Sequence, residues 1–533
     1  MKVSLVEEMR SVDKVAAEEY ALPSVVLMEN AGHRAAEVVS TMLTGGDVAG
    51  SAIVVLAGSG NNGGDALAAA RHLANAGGRI KVFLAGDKSH FSAATAAMYT
   101  ALSRMGIEIA ELNGDRDWDR LHIALRKADC LIDGILGTGF AGELRKKTLR
   151  LIEQVNEAAR PVLAIDIPSG VAADTGIVST VAVQARATLT LGLPKVGQLL
   201  SPGADYCGRL IVDDIGIPRP LLADEHIHQA LIDDELAAAM LPPRPRSAHK
   251  GTCGRILVIA GSRGMTGAAT LAASAALRAG AGIVTLAVPA SLHDIMEVKL
   301  TEVMTQPVPE PEPGCGYIGG QAALDCLQAM AQSYDAVLIG PGLGRAAATQ
   351  ELVRIFASSC PKPLVLDADA IYAFRSAPQD LAQLAQVPIL TPHLGELAGL
   401  LGCTVPELRR ELLSRVRQAA AEYQCIFVAK SECTLVVYPD GDAFFSVKGN
   451  PGMATAGCGD VLAGTIAGLM QQMDGGRSSA ASDSHDGLAP LMGVYLHGLA
   501  GDLAYAEKGE GLIASDVRDH LPAALQQVRQ AQS

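Results

Sequence analysis

The chain is poor in several features that would point to particular classes of protein. Aromatic residues make up only 4% of its 533 residues, with a single tryptophan. The ten cysteines form no Cys-x-x-Cys pair, which argues against a zinc site or a disulfide framework. No run reaches about 18 uninterrupted apolar residues, and the N-terminus lacks an apolar secretion segment. We therefore expect a cytoplasmic protein without a membrane partner.

Positive charge is also scarce. The 43 Lys and Arg residues against 57 Asp and Glu give a formal net charge of −14. Without a basic stripe, nucleic acid is excluded as an expected partner, and a phosphorylated ligand would need backbone amides or a cation to attract it. The 49% hydrophobic content and 56 glycines are typical of an α/β protein rich in small and aliphatic residues.

The length predicts at least two domains. Short apolar runs, such as Ala52–Ala57 and Pro161–Ile165, alternate with helical segments in the first half, which predicts a doubly wound parallel sheet. The second half has the same style, with a hairpin over 434–447 and a mobile Ser-, Gly- and Asp-rich loop over 473–486. Because proline disfavours regular structure, the passage Leu241–Arg246 predicts a connector. The predicted domains are 1–220 and 251–533, with 221–250 as linker.

The most informative segment is Gly449–Asp460, which precedes the apolar helical run Val461–Gly468. Its glycines leave amide groups uncovered at a helix N-terminus, where the helix dipole also favours an anion. Asp460 could take the proton from a hydroxyl that attacks a phosphoryl group held there. No Gly-Lys-Ser/Thr follows, so the segment is not a P-loop. The alternative is a glycine-rich helix cap, but a cap rarely needs so many glycines.

Three loops in the first half follow predicted strands and carry glycines with polar side chains. Such loops converge at the carboxyl edge of a parallel sheet, where ligands usually bind. Each loop alone could be a tight turn, and each aspartate could be a cap. Together their oxygen atoms could hold a monovalent cation, through Asn62, Asp133 and Ser169, and Asp166 remains available for acid–base chemistry. The loops are Gly58–Asp65, Asp133–Phe140 and Asp166–Gly170.

These three loops resemble the signatures of the NAD(P)H-hydrate epimerase domain. The second half, with Gly261–Ala269, Gly340–Gly344, Thr391–Glu396 and Gly449–Asp460, resembles the ADP-dependent NAD(P)H-hydrate dehydratase. Together they cover nearly all of the chain, which is therefore similar to the bifunctional NAD(P)H-hydrate repair enzymes. The resemblance implies an N-terminal Rossmann-like doubly wound sheet and a C-terminal ribokinase-like α/β/α domain.

The resemblance also implies a reaction sequence. The first domain would interconvert the R and S epimers, at C6, of hydrated NADH and NADPH (NADHX and NADPHX). The second would dehydrate the S epimer with ADP as co-substrate, giving NAD(P)H, AMP and phosphate. Asp166 and Asp460 would be the catalytic residues of the two steps. A K⁺ ion in the epimerase domain, Mg²⁺ in the dehydratase domain and a homo-oligomeric assembly are further implications.

By the same resemblance, the epimerase would bind its substrate through Asn61, Asn62, Gly63, Gly64, Asp65, Gly137, Thr138, Gly139, Phe140, Ala141, Gly142, Glu143 and Asp166, and K⁺ through Asn62, Asp133 and Ser169. The dehydratase would contact the hydrate through Ala268, Gly342, Gly344, His393 and Asp460. It would bind ADP through Lys430, Ser431, Glu432, Cys433, Thr434, Asn450, Gly452, Met453, Ala454, Thr455, Gly457 and Gly459. Ser431 replaces the glycine of the usual Lys-Gly-x-x-Thr pattern of the nucleotide loop, and Glu432 adds a negative charge to it.

Two other functions are open at this level. A vitamin-precursor or sugar kinase would share the segment around Asp460 but would release a stable phosphorylated product. Alternatively, the first half could be a protein-interaction module, as described for animal relatives of the epimerase domain. A module that only binds protein has no need for Asn62, Asp133, Asp166 and Ser169 in this arrangement.

Overall fold

The computed structural model describes residues 1–43, 46–474 and 487–532. The chain divides into two compact units, Lys2–Ile227 and His228–Ser533, with Met1 grouped with the second. The predicted linker differs from this division, because residues 229–240 form a strand and a helix of the second unit. The predicted loop over 473–486 lies almost entirely outside the described residues.

The first unit contains a seven-stranded parallel sheet with helices on both faces. The strand order is β3-β2-β1-β4-β5-β6-β7, as in a Rossmann-like doubly wound fold. The strands are β1 Ala52–Ala57, β2 Arg79–Leu84, β3 Glu108–Glu111, β4 Cys130–Gly134, β5 Val162–Ile165, β6 Ala187–Leu191 and β7 Arg209–Asp213. The helices are α1 Val6–Glu18, α2 Ser24–Met42, α3 Asn61–Asn75, α4 Ala93–Arg104, α5 Asp115–Lys127, α6 Lys146–Glu157, α7 Val196–Leu199, α8 Gly203–Cys207 and α9 Arg219–Leu222.

The central strand β1 shows why the sequence of a buried parallel strand is a continuous apolar run. Ile53 and Val55 face one core and Val54 and Leu56 face the other, because successive side chains of a strand point to opposite faces. A strand covered by helices on both faces needs apolar residues at every position. The loops that follow β1, β4 and β5 therefore lie at one edge of a rigid sheet.

The second unit contains a ten-stranded sheet of order β11-β10-β9-β12-β13-β14-β15-β16-β17-β8. The first seven of these are parallel, and β16 and β17 form the predicted antiparallel hairpin. The strands are β8 Gln229–Leu231, β9 Arg255–Ile259, β10 Ile283–Pro289, β11 Met304–Val308, β12 Ala336–Ile339, β13 Leu364–Leu366, β14 Ile389–Leu390, β15 Ile426–Ala429, β16 Thr434–Val437 and β17 Ala443–Ser446. The helices are α10 Asp234–Met240, α11 Thr266–Arg278, α12 His293–Lys299, α13 Gln321–Ala331, α14 Ala347–Ser359, α15 Asp369–Ala373, α16 Leu394–Leu400, α17 Val405–Arg410, α18 Leu412–Tyr423, α19 Cys458–Asp474, α20 Ala489–Lys508 and α21 Ala514–Gln530.

Helices α11 and α19 pack unusually close to each other within the main core of this unit. A Cβ atom on Gly464 would collide with the carbonyl oxygen of Ala272, and one on Gly468 with that of Ala276. The two glycines therefore allow the backbones of the helices to touch.

No helix of the described ranges is long and apolar enough to cross a bilayer.

The structure predicts that the second unit needs the segment at its start. Between β8 and α10, the backbone amide of Ile232 donates to Phe445 O at 2.8 Å, and the side chains of Ile232 and of Ala237 in α10 are buried. A fragment 228–533 is expected to be more stable than 241–533 by at least about 1.5–3 kcal/mol, the usual value for burying one large aliphatic side chain. Urea unfolding followed by circular dichroism measures the difference. Equal free energies of unfolding would show that the segment is a linker.

Candidate active sites

A cavity of about 820 Å³ lies at the carboxyl edge of the seven-stranded sheet. The loops after β1 and β4 and the residue after β5 line it, as the sequence predicts. Of the predicted substrate-binding residues, the cavity wall includes Asn61, Asn62, Gly63, Asp65, Gly137, Thr138, Gly139, Phe140, Ala141, Glu143 and Asp166. Gly64 and Gly142 are not part of it. A Cβ on Gly64 would overlap the side chain of Met28, so this glycine serves the packing of α3 behind the loop.

The turn between β1 and α3 depends on glycine at two positions. A Cβ on Gly63 would collide with the carbonyl oxygen of Gly58, and a Cβ on Gly58 with that of Ile135. The chain can therefore fold the loop tightly only without these side chains. The tight turn directs the N-terminus of α3 into the cavity, where its amides favour a negatively charged group of a ligand.

The three proposed cation ligands lie together beneath this loop. The Ser169 hydroxyl donates to Asp133 Oδ1 at 2.6 Å, and the Ser169 amide donates to Asp133 Oδ2 at 2.8 Å. Asn62 Nδ2 donates to Leu136 O at 2.7 Å, and the Leu136 amide donates to Ser169 Oγ at 2.9 Å. Asn62 Oδ1 is buried without a hydrogen-bond partner among the described residues. Asn62 is thus linked to Ser169 through Leu136, and an unpartnered buried amide oxygen together with a carboxylate and a hydroxyl fits the needs of a monovalent cation.

Burial raises the pKa of Asp133 to about 6, although its hydrogen bonds with Ser169 and Ile135 lower it. A bound cation would favour the ionised carboxylate, because an opposite charge nearby stabilises the charged form. The electrostatics of Asp133 therefore agree with the donor set around it.

The sequence analysis missed Lys195, which contacts Asp166. Lys195 is 1% exposed, and its ammonium group donates to the Asp166 carboxylate, to Thr190 Oγ1 at 3.1 Å and to Leu191 O at 2.8 Å. Asp166 has φ = +63°, a region that costs free energy for a residue other than glycine. The ion pair with Lys195 holds this carboxylate in place. The run Leu193-Pro194-Lys195 follows β6 and is a further loop at the end of a strand. This position after a strand is the sequence signal by which Lys195 could have been found.

Two more carboxyl groups of the cavity wall interact with this pair. The pKa of Asp13 is raised to about 6, chiefly by burial. The positive charge of Lys195 lowers this pKa, and the negative charge of Asp166 raises it. Burial raises the pKa of Asp65 well above its usual range, and the charges of Asp166 and Asp13 add to this. The carboxyl groups of the cavity therefore differ in pKa, so that at one pH one group can be neutral while another is charged. General acid–base chemistry requires such a difference.

The second site lies at the N-terminus of α19. Gly457, with φ = +97°, precedes the helix, and Asp460 lies in its first turn. A Cβ on Gly459 would lie 3.0 Å from the ammonium nitrogen of Lys430. The side chain of Lys430 therefore passes directly against the backbone of the glycine-rich segment. Absence of side chains here leaves the amides accessible to an anion, as the sequence predicts.

The start of the same segment is fixed by Asp502, a residue of α20 that the sequence analysis also missed. Its carboxylate accepts from the Gly449 amide at 3.2 Å and from Asn450 Nδ2 at 3.0 Å. Asn450 Oδ1 in turn accepts from the Gly452 amide at 3.1 Å. Asn450 and Gly452, both predicted ADP contacts, thus belong to a loop with a defined conformation. Met453 packs against Gly501, and Ala454 and Thr455 lead into α19.

Asp460 has the electrostatics of a base that works near neutral pH. Its pKa is raised to about 7, chiefly by burial and also by the charges of Asp367, Asp369 and Glu396, while Lys430 lowers it. Lys430 itself forms an ion pair with Asp367, with 3.0 Å between Nζ and Oδ1. Burial lowers the pKa of Lys430, but the neighbouring carboxylates more than offset this, so the net change is upward. At neutral pH Asp460 can both accept and release a proton.

The structure brings Ala268, Gly342 and Gly344 together. A Cβ on Gly342 would lie 3.0 Å from the Cβ of Ala268, and one on Gly344 would lie 3.4 Å from Ser262 Oγ. The Gly344 amide donates to Asp369 Oδ2 at 2.8 Å, which links this group of residues to the surroundings of Asp460.

His393 has a local structural role besides the predicted contact with substrate. Its Nδ1 atom accepts from the amides of Gly395 and Glu396 at 3.0 and 3.2 Å, so it caps the N-terminus of α16. The side chain is 61% exposed. The backbones of His393 and Lys430 form a parallel bridge. His393 therefore lies at the same edge of the sheet as the ion pair of Lys430 with Asp367. Its contact with the hydrate stays a prediction.

The predicted nucleotide loop, which follows β15 and ends at the first residue of β16, has side chains that point in two directions. Lys430 and Cys433 point inward, and burial raises the pKa of Cys433 to about 12. Ser431 Oγ donates to Cys433 O at 2.6 Å. Glu432, which adds a negative charge to the loop, forms an ion pair with Arg409 at 3.0 Å. Thr434 is the first residue of β16.

The fold and the two sites define a class: a two-domain α/β enzyme with a ligand-sized cavity at the edge of a Rossmann-like sheet and a second site at a glycine-rich helix N-terminus of the larger sheet. Two family models match the chain, "YjeF-related protein N-terminus" over residues 24–197 and "NAD(P)H-hydrate dehydratase" over residues 256–523. The chain belongs to the family of bifunctional NAD(P)H-hydrate repair enzymes.

Relatives match along almost the whole chain. The bifunctional NAD(P)H-hydrate repair enzyme Nnr of Moorella thermoacetica is 41% identical, over 98% of this chain and 96% of the relative. The enzyme of the same name from Thermofilum pendens is 37% identical, over 99% and 97%. Among solved structures, the ADP/ATP-dependent NAD(P)H-hydrate dehydratase of Bacillus subtilis, crystallised with ATP and Mg²⁺, is 29% identical with a TM-score of 0.45, covering 56% of this chain and 98% of that chain.

Proposed function

We propose that this chain repairs hydrated nicotinamide cofactors, as a C6 epimerase in its first unit and as an ADP-dependent dehydratase of the S epimer in its second. The observation that carries the proposal is the pair of different sites in one chain. One is a cavity with carboxyl groups around Lys195, and the other is an anion-binding helix N-terminus with Asp460 in its first turn. A kinase alone would need only the second site.

In the dehydratase site, Asp460 takes the proton from the C6 hydroxyl of the hydrate, and the oxygen attacks the terminal phosphorus of ADP. The bond from that phosphorus to the bridging oxygen breaks, and AMP leaves. Amides of Ala454 to Gly459 stabilise the negative charge on the transferred group. Phosphate then leaves C6 with the help of the ring nitrogen's electron pair, and loss of a C5 proton restores NAD(P)H.

ADP is the proposed phosphoryl donor, held by the 430–434 loop and by Asn450 to Gly459. Mg²⁺ would accompany its phosphates and reduce their negative charge. The ion pair of Glu432 with Arg409 neutralises the unusual acidic residue of the loop, which would otherwise repel the nucleotide. His393, Ala268, Gly342 and Gly344 are proposed to contact the hydrate, with hydrated NADH and NADPH both as substrates.

In the epimerase cavity, the C6 hydroxyl leaves as water once it is protonated, and the ring nitrogen supplies the electrons, leaving an iminium cation. Water then adds to the other face and gives up a proton. Asp166, held by Lys195, is the proposed acid–base group, and its charge also stabilises the cation. K⁺ at Asn62, Asp133 and Ser169 would supply a fixed positive charge that orients the substrate-binding loop.

The cation site gives a prediction. Asp133→Ala is expected to slow epimerisation and to raise the K⁺ concentration needed for half-maximal rate by roughly 10- to 100-fold, because a ligand is lost. High KCl should restore part of the rate, and equal LiCl should not. Because Asp133 is buried, Asn62→Ala serves as a second variant that leaves the Asp133–Ser169 pair intact. Unchanged K⁺ dependence in both variants would contradict this site.

The whole proposal is tested by incubating the protein with racemic hydrate and either ADP or ATP. Return of the near-ultraviolet absorbance of reduced nicotinamide, with release of AMP and phosphate, is expected to go to completion with ADP. A stable phosphorylated product would favour the kinase alternative. Recovery of only the S epimer, at any K⁺ concentration, would favour a protein-interaction role for the first unit. We also propose that the protein acts in the cytoplasm and that it forms a homo-oligomer. Light scattering after gel filtration tests the oligomeric state.

A further inference from the structure

Helix α20 contacts residues 448–453, a stretch that begins the glycine-rich segment and that we call the docked loop. A Cβ on Gly498 would lie 2.6 Å from the carbonyl oxygen of Lys448, and one on Gly501 would collide with the sulfur of Met453. Only a helix without side chains at these two positions can lie so close to the loop. The docked loop is therefore fitted to one face of α20.

Polar contacts from Asp502, on the same face of α20, hold the docked loop in place. The half-buried Asp502 carboxylate accepts from the Gly449 amide and from Asn450 Nδ2, and Asn450 Oδ1 accepts from the Gly452 amide. Both ends of the Asn450 side chain are thus used within the protein. A contact of Asn450 with ADP is left to its backbone.

The docked loop needs this support because of its composition. Gly449 has φ = +109°, Gly452 follows three residues later, and glycine has more backbone conformations available than any other residue. When fewer molecules hold the conformation that binds a ligand, the apparent dissociation constant rises in proportion. The charge of Asp502 alone would weaken binding of a phosphate, since like charges repel. A favourable effect of Asp502 on ADP is therefore conformational.

We propose that Asp502 is a positioning residue, which holds the docked loop in the conformation that binds ADP and so sets the affinity for the nucleotide without touching it. This inference rests on the proposed dehydratase function. It gives a role in nucleotide affinity to a residue of α20, a helix that contains none of the predicted site residues.

The first test is Asp502→Asn, which turns an amide donor towards the donor of Asn450. The dissociation constant and the KM for ADP should rise roughly tenfold or more, because hydrogen bonds to a charged acceptor are lost. The rate at saturating ADP should fall much less, since bound nucleotide selects the competent conformation, and the KM for the S hydrate should not change. Calorimetry with ADP and Mg²⁺, and rates of NAD(P)H formation, measure these quantities.

A reversed pair gives the second test. Asn450→Asp alone places two carboxylates side by side, so it should also weaken ADP binding. In Asn450→Asp/Asp502→Asn, the amide group at 502 can donate to the carboxylate at 450, and its oxygen can accept from the Gly449 amide. The affinity for ADP should therefore return towards that of the wild type. Asp519→Asn, at an exposed position of α21, is the unaffected control.

An unchanged or lowered KM for ADP in Asp502→Asn would overturn the inference and leave only the charge of Asp502 to act. A reversed pair that binds ADP no better than Asn450→Asp would also overturn it, and this comparison decides the question even if Asp502→Asn does not fold. Absence of dehydration in a wild type that binds ADP would instead refute the function on which the inference rests.

Discussion

Asp460→Asn is expected to abolish dehydration of the S hydrate and to leave the conversion of R to S at the wild-type rate. The substitution keeps the size of the side chain but removes the group that accepts the hydroxyl proton. Loss of a general base typically costs 10²- to 10⁴-fold in rate, and here the attack on phosphorus has no other described carboxylate in the first turn of α19. The anion site itself would remain, because it consists of backbone amides.

The measurement is the rate of NAD(P)H formation from pure S hydrate with ADP, together with the rate of epimerisation followed by chromatography. Asp380→Asn, at an exposed position of the same unit, is the matched control and should be fully active. Nucleotide binding, measured by calorimetry, should be retained in Asp460→Asn. Near wild-type dehydration by this variant would show that the base is another residue.

Asp166→Ala is expected to have the complementary effect, with loss of epimerisation and full dehydration of S hydrate. The two groups belong to separate compact units, and substitutions of residues that share no partners usually act independently. On a racemic mixture, the S half should be consumed quickly and the R half only as fast as it epimerises spontaneously. The progress curve would therefore have two phases of equal size.

Removal of Asp166 leaves the buried Lys195 without its charge partner, which could destabilise the first unit. Asp166→Asn keeps an acceptor for the ammonium group and is the gentler variant, and Asp119→Asn on the surface of α5 is the control. The dehydration rate of the same sample reports on the second unit. Rapid and complete consumption of the racemate by both Asp166 variants would refute the epimerase assignment.

Much of the architecture follows from local patterns. The strands before the three glycine loops and the hairpin of β16 and β17 could be predicted because buried parallel strands are apolar throughout and tight turns require specific residues. β8 could not, because a three-residue strand carries almost no pattern and is stabilised by its partner β17. For this reason the predicted linker includes β8, which the structure places in the second unit.

The sites were predictable where a loop carries its own chemistry, as around Asn62 or Asp460. Lys195, Asp13 and Asp502 were missed because each reaches its site from a different element. Nothing in the residues next to them shows which carboxylate or amide they will meet. Similarly, the sequence shows a lysine at 430 but not that a buried aspartate from another strand directs it inward.

The close crossing of α11 and α19 has a consequence for anyone who tries to re-engineer this enzyme. Asp460 is attached to a rod, and at a rise of about 1.5 Å per residue the crossing glycines, Gly464 and Gly468, lie roughly 6 and 12 Å further along it. A methyl group added at either glycine would push α19 away from α11. Asp460, in the first turn of α19, would move with the helix. Substitutions meant to change nucleotide choice are therefore better made in the proposed nucleotide-binding loop, 430–434, because the position of Asp460 depends on how closely α11 and α19 pack at Gly464 and Gly468.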